Sequence, residues 1–335
     1  MKAVVVIEPG VAVVQDVQRP VRATGEVLLQ VRLVGMCGSD MTTYLGRNPM
    51  VSYPRVLGHE IAATVAEPGE SGLPVGTNVT FSPYTACGTC PSCLRGRSNA
   101  CQFNQTLGVQ RDGAMTEFVS VPAANLCPSS LPLEALALVE PLTVGAHAIA
   151  RGRVEATDIV AVFGCGGVGL GAIAAAAFRK ARVIAIDRDD AKLEIARKAG
   201  ATHLLNVDTE DLHETLMRWT EGRGPDVFVE AVGLPQTFVA AVQEVAFTGR
   251  VVYIGYAKEA VAYETRLFVQ KELDILGARN AQPADFRFVL DMLEQGNFPV
   301  QEAISTTVSI EDAPAILAEW SRNPAKFTKI QIKVS

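Results

Sequence analysis

Two sets of residues in this chain could hold a metal ion, and a third stretch could cradle a phosphate. The dense set is Cys87, Cys90, Cys93 and Cys101, within "CGTCPSCLRGRSNAC", where four of the seven cysteines fall in fifteen positions. The spacing C-x2-C-x2-C-x7-C lets a chain wrap one ion, and thiolates suit zinc in a closed tetrahedral site. The first three cysteines also match the start of a bacterial iron–sulfur run. However, Gln102 rather than proline follows the fourth, and no second run occurs. Zinc is the better reading, and a closed shell of four thiolates leaves no position for substrate, so this set is expected to be structural. The sparse set is Cys37 in "GMCGSD", His59 and Glu60 in "LGHE", and Glu140 in "EPLTVG". One thiolate, one imidazole and a carboxylate would leave a zinc position for water or an alcohol. Read singly, each residue has a plainer explanation: a small buried hydrophobe for Cys37, a hydrogen-bonded turn residue for His59, a solvated acid before proline for Glu140. Spacing alone does not unite residues so far apart.

The phosphate candidate is "GCGGVG", residues 164–169, which matches G-x-G-x-x-G as Gly164, Gly166 and Gly169 with Gly167 and Val168 inside it. The pattern alone is weak. Here it follows an apolar strand and opens a helix, the context of a dinucleotide fingerprint. Such a turn brings backbone close to a pyrophosphate, and the helix N-terminus offers unpaired N–H groups to it. An acid is expected about 20 residues on to bind the ribose hydroxyls, and Asp187 closes "RVIAID" there. A carboxylate at that place repels a 2′-phosphate and favours NAD, while the adjacent Arg188 could accommodate one. A bare βαβ turn with a helix-capping aspartate is the plainer alternative.

The elements that must position these groups fall into two textures. Up to about residue 147, short runs such as "EVLLQVRLVG", "TNVTF" and "MTEFVSVP" read as strands between turn residues. From about 154, strands alternate with helices, implying βαβ units and a parallel sheet covered on both faces. "TKIQIKV" is a terminal strand expected to return to the first domain. At 335 residues the chain is two domains long. A net charge of −6 argues against nucleic acid or an anionic membrane as partner. "IVAVFGCGGVGLGAIAAAAF", 159–178, is long enough to span a bilayer, but five glycines in 164–171 argue against one continuous helix. With no secretory signal at the start, the expected location is cytoplasmic, where reduced thiols bind metal more often than they form disulfides.

"CGSD", "GHE", the four-cysteine run, "EPLTVGAHA", "GCGGVG" and "VIAID" occur in an order that resembles the zinc-dependent medium-chain dehydrogenase/reductase family over essentially the whole length. Within it the chain is similar to the sorbitol, threonine and sugar-acid dehydrogenase branch. "SYPRVLGHE" and "GARNAQPADF" look closest to the L-galactonate and L-idonate 5-dehydrogenases. The resemblance implies an α/β protein: a GroES-like β-rich catalytic domain, 1–147 and 284–335, with a structural zinc lobe at about 84–104, and a Rossmann doubly wound parallel-sheet domain, 148–283. It implies a catalytic zinc held by Cys37, His59 and an acid, with Glu60 and Glu140 both at the metal and the direct ligand left open between them. Ser39 matches the hydroxyl that passes the alcohol proton on, and Thr42 stands where many relatives have a histidine. Lys192 would lie near the adenosine, and Val232 and Gly233 near the ribose. Tyr253, Ile254 and Gly255 would line the cofactor cleft, with Arg279 and Asn280 near nicotinamide or substrate.

The implied activity is NAD-dependent, zinc-dependent interconversion of a secondary alcohol of a polyol or sugar acid, such as an aldonate, with its ketone, by a homodimer or homotetramer. L-threonine 3-dehydrogenase or general alcohol dehydrogenase activity uses the same residues, and an NAD-sensing, zinc-binding regulatory protein is the non-enzymatic alternative. Cys127 and Cys165 read as structural, and His147, His203 and His213 as packing or surface residues.

Overall fold

A computed structural model describes the whole chain, Met1–Ser335. Its contacts divide it into two compact units. One comprises Met1–Glu140, Gln282–Leu290 and Val300–Ser335; the other comprises Pro141–Ala281 and Asp291–Pro299.

In the second unit β1 (Ile159–Phe163) leads through the glycine turn into α1 (Gly167–Phe178). Next come β2 (Arg182–Asp187), α2 (Asp190–Lys198), β3 (His203–Asn206), α3 (Leu212–Trp219), β4 (Val227–Glu230) and α4 (Pro235–Glu244). β5 (Arg250–Tyr253), α5 (Arg266–Gln270) and β6 (Asp274–Gly277) complete it. The six strands pair in parallel in the order 3-2-1-4-5-6, that of dinucleotide-binding sheets. β1 is buried at every position, which is why "IVAVF" shows no polar alternation: covered on both faces, it has no solvent side. α1 is buried from Gly169 to Ala176, as a helix apolar all round must be. The stretch 159–178 is therefore a strand, a turn and a core helix, and no helix of the chain is long and apolar enough to cross a membrane.

The first unit is built on a seven-stranded sheet. Across it lie Leu126–Pro128, Asn78–Phe81, Glu60–Glu67, Glu26–Gly35, Ile330–Lys333 and Thr306–Ser309, and Phe118–Pro122 also pairs with Glu26–Gly35. Val4, Leu29, Val34, Ile61, Phe81, Met115 and Ile332 belong to its buried apolar core. Two strand registers bring distant residues together. Gly35 lies opposite Glu60 on one side and opposite Gln331 of the terminal strand on the other. The last strand of the chain thereby comes to lie next to Glu26–Gly35, on the side away from the strand that Glu60 opens. A short hairpin, Tyr84–Thr85 with Gln105–Thr106, closes the base of the loop that carries the four cysteines.

Candidate active site and metal centres

The four-cysteine loop folds into a cage. Sγ–Sγ separations are 4.0 Å for Cys87–Cys93, 3.5 Å for Cys90–Cys93, 3.9 Å for Cys90–Cys101 and 3.6 Å for Cys87–Cys101. A tetrahedron with Zn–S bonds of about 2.3 Å has edges of about 3.8 Å, so these thiols already stand at the corners of a zinc site. They are too far apart for a disulfide, and too close for a multi-iron cluster, which would hold its thiolates well beyond contact. Backbone amides point at the sulfurs: Cys90 N–H at Cys87, and Cys87 N–H and Phe103 N–H at Cys101, each at 3.3 Å. The amides of Cys93 and Gln102 pull the Cys90 thiol down to about 6, while burial pushes Cys93 up to about 12. Four crowded thiols cannot all ionise unaided, and a divalent cation at the centre is what lets them.

The sparse set also converges. Cys37 Sγ, a His59 ring nitrogen and a Glu60 carboxylate oxygen lie within 4.8 Å of one another. Cys37 precedes the helix Gly38–Tyr44, and Asp40 in its first turn fixes the geometry. Asp40 Oδ2 accepts from Cys37 N–H at 2.9 Å and Oδ1 from Gly58 N–H at 3.4 Å. One buried carboxylate thus ties the cysteine turn to the histidine turn. Gly35 makes room for the acid, since a Cβ there would stand 2.1 Å from Glu60 Oε2. His59 is buried, and its Nδ1 has no hydrogen-bond partner. A buried nitrogen without a partner, beside a thiol and a carboxylate, is a donor set that fits zinc.

Sequence reading missed the residue that balances this site. Lys329 Nζ donates to both Glu60 oxygens, at 2.7 and 2.6 Å, and to Met36 O at 3.1 Å. Both side chains are almost fully buried. Burial works against the ammonium, but Glu60, Cys37 and Glu140 outweigh it and hold Lys329 above its usual range. For His59, too, burial opposes the charge while Cys37, Asp40 and Glu140 raise it well above the ordinary imidazole value. These directions belong to the protein groups alone; a divalent ion among them favours thiolate and neutral imidazole.

Glu140 stands outside the close trio but within reach of its charges. Burial raises its carboxyl, Glu60 adds to the rise, and His59, Tyr84 and Lys329 oppose it. Its Oε1 accepts a hydrogen bond from the Tyr84 hydroxyl. Tyr84 sits three residues before Cys87, on the hairpin beneath the cysteine cage. The sequence did not single it out, and its one signal is adjacency to the cysteine run. Ser39 Oγ is buried without a partner. Thr42 Oγ1 donates to Ser39 O at 3.0 Å, so its proton is engaged by backbone.

In the second unit Gly164 and Gly169 of the turn meet different demands. Gly164 has φ +93°. A Cβ on Gly169 would lie 1.8 Å from Gly164 O, so only glycine lets helix and strand pack there. A Cβ on Gly166 would meet nothing within 4 Å, so protein packing does not require that glycine. The open space there is compatible with the close backbone approach of a pyrophosphate that this position allows in dinucleotide-binding turns. Apart from Lys192, on the first turn of α2, the other cofactor residues expected from the sequence lie at or just past carboxyl ends of strands. Asp187 ends β2 before Arg188, Val232 and Gly233 lie past β4, Tyr253 ends β5 before Ile254 and Gly255, and Arg279 and Asn280 lie past β6. That edge is where open α/β sheets bind ligands. The ring of Tyr253 is taken up by packing, stacked on Phe238 at 4.4 Å with its hydroxyl on Phe238 O. Glu230, also missed, closes "VFVE": its buried Oε1 accepts from Val232 N–H, Gly233 N–H and Thr237 Oγ1 and so shapes the turn after β4.

A metal ion can serve as Lewis acid for an alcohol that gives up its hydride to a dinucleotide, and the donor set and sheet seen here fit that pairing, the one used by zinc-binding dehydrogenases. Comparison with known proteins agrees. Residues 23–132 match the alcohol dehydrogenase GroES-like domain and 167–295 the zinc-binding dehydrogenase domain. L-galactonate-5-dehydrogenase of Escherichia coli is 33% identical, with 88% of each chain covered. The alcohol dehydrogenase RspB of Escherichia coli CFT073, solved with NADH, superposes with TM-score 0.91 at 28% identity, covering 100% of this chain and 99% of that one. A zinc-binding dehydrogenase of Sinorhizobium meliloti, solved with NADP, superposes with TM-score 0.92 at 28% identity over 99% of each chain. The chain belongs to the zinc-binding alcohol dehydrogenase family.

Proposed function

We propose that this protein oxidises a secondary alcohol of a sugar acid, an aldonate in particular, to the ketone with NAD as hydride acceptor, and runs the reverse reduction. The observation that carries this reading is the meeting of Cys37, His59 and Glu60 within 4.8 Å, from segments that sequence spacing does not unite. The aldonate is supported by similarity to L-galactonate-5-dehydrogenase over most of the chain, and NAD by Asp187 at the end of β2. In this reading Cys37, His59 and Glu60 hold one zinc and the four-cysteine cage a second. When bound, the first zinc supplies a Lewis acid for the substrate hydroxyl oxygen and the nicotinamide supplies the hydride acceptor.

The chain's own groups do the rest. Lys329 offsets the charge of Glu60, so that a thiolate and carboxylates coexist in one buried site. Glu140, held by Tyr84, adds negative potential beside His59. Ser39 Oγ, buried with no partner of its own, takes the hydroxyl proton while giving up its own, which goes on to solvent water. Atoms balance: the hydroxyl proton leaves through Ser39 and the carbon-bound hydride leaves with the cofactor. A homodimer or homotetramer belongs to the same reading and is checked by light scattering.

The test is an NAD-reduction screen over aldonates, polyols and L-threonine, run with a zinc assay. Turnover highest on an aldonate, with two zinc ions per chain and loss on chelation, is the expected result. Preference for L-threonine would move the protein to the 3-dehydrogenase activity. NAD binding without turnover on any alcohol would make it a regulatory protein, and turnover that survives zinc removal would sink the mechanism.

A further inference from the structure

The two solved neighbours carry different cofactors, NADH in one and NADP in the other, so the 2′ end of the adenosine site is where this chain must choose. The carboxyl end of β2 holds the charged groups that bear on that choice. Asp187 is fixed by three backbone amides: Oδ2 accepts from Cys165 N–H at 2.7 Å, and Oδ1 from Arg188 N–H at 2.8 Å and Asp189 N–H at 3.2 Å. The Asp189 carboxylate caps α2, accepting from Ala191 N–H and Lys192 N–H. Asp190 accepts from Asn206 Nδ2 at 2.6 Å. Each of these three acids is committed to backbone or an amide. The guanidinium of Arg188 goes instead to Asp208, with Nε at 3.2 Å and Nη2 at 3.1 Å from its Oδ2.

Asp208 is placed for this by the sheet. Asn206, the last residue of β3, pairs in register with Asp187. Its side chain receives Asp208 N–H at 3.0 Å while donating to Asp190. One asparagine thus locks the loop after β3 against the start of α2, and Arg188 and Asp208 face each other across the join.

We propose that Asp208 is a specificity-determining residue: it holds Arg188, the cation next to Asp187 able to receive a 2′-phosphate, and so makes the site select the unphosphorylated dinucleotide. The inference rests on the reading of Gly164–Gly169 and Asp187 as the NAD cradle. Asp187 repels the phosphate, and Asp208 keeps its counter-ion away. A lone Arg next to the ribose acid would otherwise swing to a phosphate, which its planar fork matches with two parallel hydrogen bonds.

The experiment measures equilibrium affinity for NADPH and for NADH by quenching of intrinsic fluorescence, without turnover, on wild type, Asp208→Asn, Arg188→Ala and the double variant. Asp208→Asn should tighten NADPH binding roughly two- to fivefold, the size expected when Arg188 is released from one exposed ion pair. NADH affinity should change by less than about twofold, since no new charge meets the ribose hydroxyls. In the Arg188→Ala background the same substitution should lose most of its effect. An undiminished gain there would mean that Asp208 acts only through bulk charge, and would overturn the proposal, as would an NADPH affinity that Asp208→Asn leaves unmoved. Wild-type protein that binds NADPH as tightly as NADH would instead overturn the NAD reading beneath it, and one that binds neither would remove the cradle.

Discussion

The four-cysteine cage and the Cys37–His59–Glu60 cluster are both thiol-containing metal sites in one unit of the chain, yet they are built by opposite means. The cage takes all its ligands from fifteen consecutive residues. Its Sγ spacings of 3.5–4.0 Å go with N–H···S bonds donated from within the same stretch. The cluster takes its ligands from two turns, its counter-charge from residue 329 and its clearance from Gly35 on a neighbouring strand. A local site is saturated by its own chain and closes around its ion. A site assembled over 269 residues of separation, that between Glu60 and Lys329, can keep donors short of a full shell, because neighbouring elements hold them apart. Here the structural metal site is legible and inert, and the reactive one dispersed.

Four substitutions sharpen or break that contrast, ranked by their effect on the turnover of folded protein. Cys37→Ala should lower kcat by roughly a thousandfold or more, since it removes a ligand of the reacting centre. The zinc content should fall from two ions per chain to one, with circular dichroism unchanged. Lys329→Met strands Glu60 as a buried charge. It should cost about 3–5 kcal/mol of stability in denaturant titration of zinc-stripped protein, a loss that added zinc should reduce, since the ion is itself a counter-charge for Glu60. An unchanged stability would show that Glu60 needs no counter-ion.

Tyr84→Phe removes one hydrogen bond to a carboxylate, about 1.5–3 kcal/mol. We expect roughly tenfold in kcat/KM, a loss that should disappear when Glu140 is already Gln. A full loss in that background would detach Tyr84 from Glu140. Cys93→Ser should leave kcat of the folded fraction within about threefold of wild type while releasing the second zinc and lowering the melting temperature by several degrees or more. A stable Cys93→Ser protein with no turnover would contradict the structural assignment.

Much of this protein is legible in its sequence because the signals are short-range. The cage follows from cysteine spacing. The turn at Gly164 follows from glycines between a buried strand and a helix, and the structure gives Gly164 and Gly169 distinct reasons, a positive φ and a close helix–strand contact. The burial of 159–178 follows from composition, and glycine content separates it from a membrane span. Asp40 lies within a motif the sequence already marks, but its bridging of Cys37 to Gly58 is a distance, not a pattern.

What tertiary structure alone decided is every relation between residues far apart in the chain. Lys329 looks like any polar residue ahead of a strand, and only antiparallel pairing of that strand with Glu26–Gly35 delivers it to Glu60. Tyr84 meets Glu140 over 56 residues of separation, and Arg188 turns to Asp208 over 20. Sequence by itself determined the metal-ligand and glycine-turn groups and the local geometry of each, since helices, turns and close-spaced ligands are set by neighbouring residues. Which of those groups face one another, and which charges they must tolerate, was decided by sheet register, which couples residues regardless of the length of chain between them.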